Sequence, residues 1–154
     1  ERERIAKEQE ERERIAKEQE ERERIAKEQK EREEAERRAA AAVRQANIEE
    51  HSEDVFFTIG SAVIRKAEAQ KINDLAQWLI ANPDYEVCVV GYADKETGTK
   101  HGNLHLSERR ANAVKAMLVK AGVEESRIES SYLGDTEQPF DEAVKNRVVI
   151  CTLE

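Results

Sequence analysis

Residues 1–9, 11–19 and 21–29 are the same nine letters, Glu-Arg-Glu-Arg-Ile-Ala-Lys-Glu-Gln, followed by Glu10, Glu20 and Lys30. A ten-residue repeat without Gly or Pro, built mostly of strong helix formers, has one good local solution, the α-helix. Opposite charges fall one turn apart, Glu3 with Lys7, Arg4 with Glu8, Glu8 with Arg12 and Glu10 with Arg14. Each such pair adds roughly 0.2–0.5 kcal/mol, less whatever salt screens. At about 100° per residue, a period of ten falls about 80° short of three turns, so Ile5, Ile15 and Ile25 drift around the helix and form no stripe. A heptad seam needs a period near 3.5. A solvated single helix is therefore the first reading, and a self-associating coiled coil the second. The pattern continues through residues 31–38 and the alanines 39–42, so the helix is expected to reach about Asn47, roughly 70 Å at a rise of about 1.5 Å per residue. That length suits a spacer; the same composition also suits a soluble linker whose length does not matter.

Charge separates this arm from the rest. Residues 1–50 carry 14 basic and 17 acidic side chains, while residues 51–154 carry 12 and 17. Only the second segment has the apolar content for a core. The expected organisation is a charged helical spacer at 1–50 and one globular domain at 51–154, near the usual domain size. A net charge of −8 without a basic stripe excludes nucleic acid as a partner. The longest apolar runs, such as 87–90 and 148–151, fall far short of the roughly 18 residues that a transmembrane helix needs. The chain opens on Glu1 with neither an initiator Met nor a signal-peptide pattern. A fragment or mature piece is expected, with any anchor upstream, either a β-barrel or a lipid-modified Cys.

The domain alternates strand and helix signals. Val55-Phe56-Phe57-Thr58-Ile59 reads as a strand closed by Gly60, and after Ser61 a helix follows with Ala69, Ile72, Leu75, Ala76 and Leu79 at three-to-four spacing. Asn82-Pro83 ends it. Residues 86–91 form a β-prone run, followed by a polar loop over 94–105. A second helix is capped by Ser107, stopped by Gly122, and apolar at Ala111, Val114, Met117, Leu118 and Ala121. Strands near 128–133 and 148–153 complete a βαβαββ order. The fold class is α+β, two layers with helices packed on a mixed sheet, preceded by a long single helix.

The segment 94–110 carries the most chemistry. Asp94 lies just past the carboxyl end of a buried strand, where α/β crevices form. Arg110, read as lying in the first turn of the second helix, precedes Val114 by four and Met117 by seven, so it heads the inward stripe, a costly place for a cation that nothing uses. Near a helix N-terminus it also makes a site for an anion. Asp94 can hold an ammonium while Arg110 grips a carboxylate in bidentate fashion. A ligand with both charges is a free amino-acid head group; the plainer alternative is that Asp94 and Arg110 pair with each other.

Gly91-Tyr92-Ala93-Asp94, then Gly98, Asn103, Leu106-Ser107, Arg110-Ala111 and Asn146-Arg147 resemble the OmpA-like peptidoglycan-binding domain family, shared by outer-membrane protein A, peptidoglycan-associated lipoprotein and flagellar stator subunits. The resemblance covers about residues 53–153. It implies a periplasmic module, associated with the outer membrane of a Gram-negative bacterium, that holds the wall non-covalently through the diaminopimelate of the stem peptide. It maps the family's key Asp onto Asp94 and its key Arg onto Arg110, with Asn103 and Arg147 as pocket neighbours and Ala93 and Leu106 as further binding positions. The chain departs from the pattern at three places. Ala93 stands where the family has Thr, three residues (Lys95-Glu96-Thr97) stand where it has two before the Gly, and Val148 replaces a second Arg. These changes are expected to reshape the loop over the ligand. The alternative implied is an OmpA-like domain that has lost wall binding and serves as a cap on an oligomerising arm.

Other signals carry less. His101 and His105 are four apart, as zinc-binding pairs are, but Gly102 and the lack of a third ligand favour a polar loop and no metal. Cys88 and Cys151 fall in two strands and are read as small buried thiols, or as a disulfide if those strands are neighbours. No nucleophile–base pair or phosphate loop appears, so no enzyme activity and no cofactor are expected. Met117 is read as core, and Trp78 as a boundary residue or a contact for the arm.

Overall fold

The computed structural model describes residues 1–154 and contains two compact units, Glu1–Gln45 and Ala46–Glu154. The first belongs to a single helix, α1 (Arg2–His51), in which no residue is buried. Ile5, Ile15 and Ile25 are each about half exposed, at 45%, 45% and 50%, as the drift of a ten-residue period requires. Of the expected ion pairs Glu8–Arg12 forms at 3.0 Å, whereas Arg4 turns back to Glu1 at 2.9 Å and Arg14 to Glu11. The i,i+3 spacing thus competes evenly with i,i+4 on this surface.

The second unit follows the order β1 (Glu53–Phe56), α2 (Lys66–Ala81), β2 (Val87–Tyr92), α3 (Lys100–Lys120), β3 (Ile128–Gly134) and β4 (Val148–Leu153), with one-turn 3₁₀ helices at Glu125–Arg127 and Ala143–Asn146. This is the βαβαββ succession read from periodicity. The sheet order is β1-β4-β2-β3. The last strand is inserted centrally, antiparallel to β1 and β2, and β2 runs parallel to β3. Burial alternates along β2, with Val87 and Val89 at 0% exposure and Cys88 and Val90 half-buried. One face therefore carries the helices and the other meets solvent. Ile72, Leu75, Ala76 and Leu79 of α2, Ala111, Val114 and Leu118 of α3, and Val149, Cys151 and Leu153 of β4 form the core. Each fully buried Ile, Leu or Val contributes roughly 1.5–3 kcal/mol. Met117 packs at its margin, and Ala121 is exposed.

Three boundaries differ from the sequence reading. β1 ends at Phe56, because the carbonyls of Thr58 and Ser61 turn away from the sheet to a guanidinium described below. For the same reason residues 61–65 are not helical, and α2 begins at Lys66. The third difference is the largest. α3 begins at Lys100, with Thr99 as N-cap accepting from Gly102 N at 3.1 Å. Residues 100–105 are therefore helix and not loop. Ser107, expected as the cap, lies in the helix interior, where its hydroxyl donates to Leu104 O at 2.7 Å and accepts from Gly134 N at 2.9 Å. Here α3 passes β2 so closely that a Cβ on Gly91 would lie 2.1 Å from Ser107 O, so only glycine fits that strand position.

Ala46–His51, the end of α1, packs into the second unit. Asn47 donates to the Tyr85 hydroxyl at 3.1 Å, Ile48 lies against the core, and the His51 ring stacks on Trp78 with centroids 4.5 Å apart. Trp78 also meets Tyr85 edge-on at 4.7 Å. The indole is thus a boundary residue covered by the last turn of α1. The two cysteines are free. Although β2 and β4 are neighbours, Val89 faces Cys151 while Cys88 faces Thr152, so the thiols point to opposite sides of the sheet and no disulfide can form. Cys151 is buried, but Cys88 is half-exposed on the outer face. No helix is long and apolar enough to cross a membrane.

Candidate functional site

The backbone leaves β2 at Tyr92 and turns at Asp94, placing a carboxylate at the strand's carboxyl end. Asp94 is 3% exposed and closes a local turn, accepting from Thr97 N at 3.0 Å through one oxygen and from the Thr97 hydroxyl at 2.7 Å through the other. An Asp with Thr three residues on is a side-chain-capped turn that its own sequence spacing specifies. The second oxygen also accepts from Arg147 Nε at 3.0 Å, so the partner of Asp94 comes from the segment just before β4. Burial by itself would raise the Asp94 carboxyl, but the hydrogen bonds from Thr97 and Arg147 together outweigh it and hold the group below the usual aspartate range.

Arg110 is 0% exposed. It lies in the third turn of α3, not the first, so it gains nothing from the helix N-terminus. Its Nε, Nη1 and Nη2 donate to the carbonyls of Ser61 at 2.8 Å, Tyr92 at 2.9 Å and Thr58 at 3.1 Å, and the guanidinium lies over the Phe57 ring at 5.3 Å. One fork thereby fastens the loop after β1 to the end of β2. Burial pushes its pKa down to about 10 against the pull of nearby Asp94, so it stays charged at neutral pH. Asp94 and Arg110 therefore do not simply pair with each other. Three of the five guanidinium N–H groups are occupied by backbone, and two remain.

Asn103 is buried in the first turn of α3, and its Nδ2 converges on Asp94 O at 3.2 Å, Thr97 O at 2.9 Å and Asp135 Oδ2 at 2.9 Å. It fixes the Asp94 turn from below. Ala93 is buried, bonded through N to Gly134 O at 2.8 Å and through O to Gln138 Nε2 at 3.0 Å. Leu106 packs on the buried face of α3 between Asn103 and Arg110. Asp94, Arg147, Asn103 and Arg110 are thus brought together, while Ala93 and Leu106 contribute backbone and packing. Thr97, Gln138 and Asp135 lie outside the set singled out from sequence. Thr97 is legible from its spacing to Asp94; the other two arrive from the β3–β4 connection and carry no local signal. Asn146, quoted only as part of a motif, organises that connection by accepting from Phe140 N at 2.8 Å and donating to Gln138 Oε1 at 2.9 Å.

An open groove of about 580 Å³ borders this cluster, lined by Phe56, Phe57, Thr58, Ile59, Val144 and Arg147 among others. Ile59 and Val144 remain 59% and 62% exposed beside it. The groove's lining combines these apolar side chains with the charged Arg65, Glu68, Lys145 and Arg147, the mixture that a ligand with both apolar and charged parts needs.

Among known proteins, outer membrane protein 40 of Porphyromonas gingivalis is 42% identical over 98 residues, which is 64% of this chain and 26% of that protein. The peptidoglycan-associated lipoprotein of Brucella melitensis is 38% identical over 81 residues, 53% of this chain and 48% of that protein. The chain thus spans between a quarter and a half of these relatives. The crystal structure of the peptidoglycan-associated lipoprotein from Burkholderia pseudomallei aligns with a TM-score of 0.61 at 27% identity, covering 66% of this chain and 89% of that one. The C-terminal domain of Helicobacter pylori MotB shares the fold, with a TM-score of 0.60 at 22% identity, over 66% of this chain and 84% of that one. Residues 56–149 match the OmpA family model, which is more than half of the 154 residues, and so this chain belongs to the OmpA family.

Proposed function

We propose that this domain binds cell-wall peptidoglycan without making or breaking a bond, taking the free amino-acid head group of stem-peptide diaminopimelate at Asp94, Arg147 and Arg110. The observation that carries the reading is a buried carboxylate ion-paired with Arg147 at the carboxyl end of β2, close enough to the buried Arg110 guanidinium to act on it electrostatically, in a chain whose relatives include a peptidoglycan-associated lipoprotein. The oxygen of Asp94 that accepts only from Thr97 N keeps lone-pair capacity for an ammonium. Arg147 uses Nε for Asp94 and keeps its terminal Nη groups for a carboxylate. Arg110, fixed to three carbonyls, supplies positive charge beneath the ligand and shapes the loop that receives it. The groove past Phe56 and Val144 takes the rest of the stem peptide.

On this reading the domain works in the periplasm of a Gram-negative bacterium and tethers an upstream outer-membrane anchor to the wall, with α1 as a spacer. Its 50 residues extend about 75 Å at about 1.5 Å per residue. Removing one ten-residue copy should then bring anchor and wall closer by about 15 Å; unchanged envelope spacing in cells carrying one, two or three copies would count against the spacer. The competing reading, an oligomerising arm, lacks an apolar seam behind it, and sedimentation showing a concentration-dependent oligomer would revive it.

The decisive test is calorimetric titration of the protein with meso-diaminopimelate, alongside Asp94→Asn and Arg147→Gln. Saturable binding lost in both variants, each still folded by Trp78 fluorescence, is the expected result. A folded wild type that binds nothing refutes the proposal.

A further inference from the structure

The turn that carries Asn103 toward Asp94 presents a second pair of side chains on its opposite, solvent face. His101 and His105 are exposed and lie in the first two turns of α3, with their Nε2 atoms 3.2 Å apart and their rings nearly perpendicular, at 84°. Neither belongs to the Asp94 cluster. Their convergence follows from helical spacing, since residues four apart stand one above the other.

That separation has a specific meaning for a metal. With bonds of about 2.0–2.1 Å from each imidazole nitrogen, an N–N distance of this size corresponds to an N–metal–N angle of about 100°, between the octahedral and tetrahedral values. In the metal-free protein the two Nε2 atoms share a hydrogen bond; a metal takes the place of that proton once the exposed rings turn both lone pairs toward it. The backbone beneath it is also held. Thr99 caps the helix at Gly102 N, Asn103 is bonded to three acceptors, and Ser107 ties the next turn to Gly134. A chelating pair on a turn fixed from three sides loses little conformational freedom on binding.

We propose that His101 and His105 form a binding site for a divalent transition metal of the zinc, copper and nickel class, with water completing its coordination. Neutral imidazole selects these ions over magnesium or calcium, which prefer oxygen donors. One other group of donors invites comparison, Cys88, Glu129 and Glu154, whose ligand atoms lie within 4.8 Å of one another. Two of those three are exposed carboxylates, oxygen donors of a kind common on protein surfaces without an ion, and the group has no imidazole.

The test is equilibrium dialysis of the full chain, stripped with chelator, against zinc chloride and nickel chloride in a non-chelating buffer. The variants are His101→Ala, His105→Ala, His51→Gln and Cys88→Ser. One ion per chain is expected for wild type, His51→Gln and Cys88→Ser, with affinity weakened by about tenfold or more in either His101→Ala or His105→Ala. A metal-dependent rise in Tm should be lost with the same two variants, whose metal-free Tm should match wild type because both side chains are exposed. No saturable binding to wild type overturns the proposal. So does binding that survives in the His101→Ala/His105→Ala double variant, and so does loss with Cys88→Ser, which would place the ion at the other group.

Discussion

Replacing Arg110 by Lys keeps the charge and removes the fork, and so separates a guanidinium that builds the domain from one that serves only a ligand. In the structure Nε, Nη1 and Nη2 reach three carbonyls on two segments, Thr58 and Ser61 after β1 and Tyr92 at the end of β2. An ammonium offers its donors from one point on a flexible stem and cannot span that set. One or two charge-assisted bonds to part-buried carbonyls are lost, at about 1.5–3 kcal/mol each, for a total loss of about 2–4 kcal/mol. For a domain of about 100 residues this lowers Tm by about 8–32 °C, at roughly 4–8 °C per kcal/mol. Urea unfolding followed through Trp78 is the suitable assay, because it is the only tryptophan and packs against the domain core. Far-UV circular dichroism would instead be dominated by the 50 residues of α1. The midpoint should fall with an unchanged slope. A loss below about 1 kcal/mol in the ligand-free protein would refute the reasoning, since a residue whose three bonds mattered could not lose its geometry so cheaply.

The remaining expectations concern protonation, backbone contact and thiols. Asp94, whose folded pKa is depressed, contributes stability that is fully present above the unfolded value of about 3.9 and is lost as pH falls through the lower folded value. Tm measured from pH 6 down to pH 2 should therefore fall more steeply in wild type than in Asp94→Asn, and parallel curves would contradict the assignment. Gly91→Ala places a Cβ 2.1 Å from Ser107 O, a backbone atom that cannot rotate away, and should cost about 3 kcal/mol or more. Gly60→Ala, with φ of +64° but open space around the new atom, should cost only about 1 kcal/mol; chemical denaturation of the two side by side checks both. A chromogenic thiol reagent should count only Cys88 in the native protein, and both cysteines after unfolding, because Cys151 is fully buried and its thiol is pushed up to about 12 by burial. Equal native reaction rates would contradict the facing of β2 and β4.

Much of the domain is legible locally. Residues 148–153 read as a strand and form β4, and the apolar spacing from Ile72 to Leu79 marks the buried face of α2, because periods of two and 3.6 are imposed by each element's own geometry. The start of α3 is not legible in this way. His101, Gly102 and Asn103 look like loop residues, and the helix begins at Lys100, two turns ahead of Ser107, because Thr99 caps it and Asn103 is bonded to the Asp94 turn. The earlier start moves Arg110 from a helix end to a helix interior and changes its chemistry from anion-binding terminus to backbone fastener. Asp94 is found from its place after a strand, yet its partner is not, since Arg147 is 53 residues away.

What the sequence determined by itself is whatever a few neighbouring residues decide: an arm that is helical and has no seam, the βαβαββ succession, and the carboxylate at the end of β2. The tertiary structure decided which strand lies beside which, placing β4 between β1 and β2, and with it which thiols face apart and which guanidinium meets Asp94. The physical reason is range. Helix periodicity and strand alternation are encoded within a turn or a pleat, whereas hydrogen-bond partners across a sheet, and the burial that makes Arg110 satisfy three carbonyls, depend on chain segments that only folding brings together.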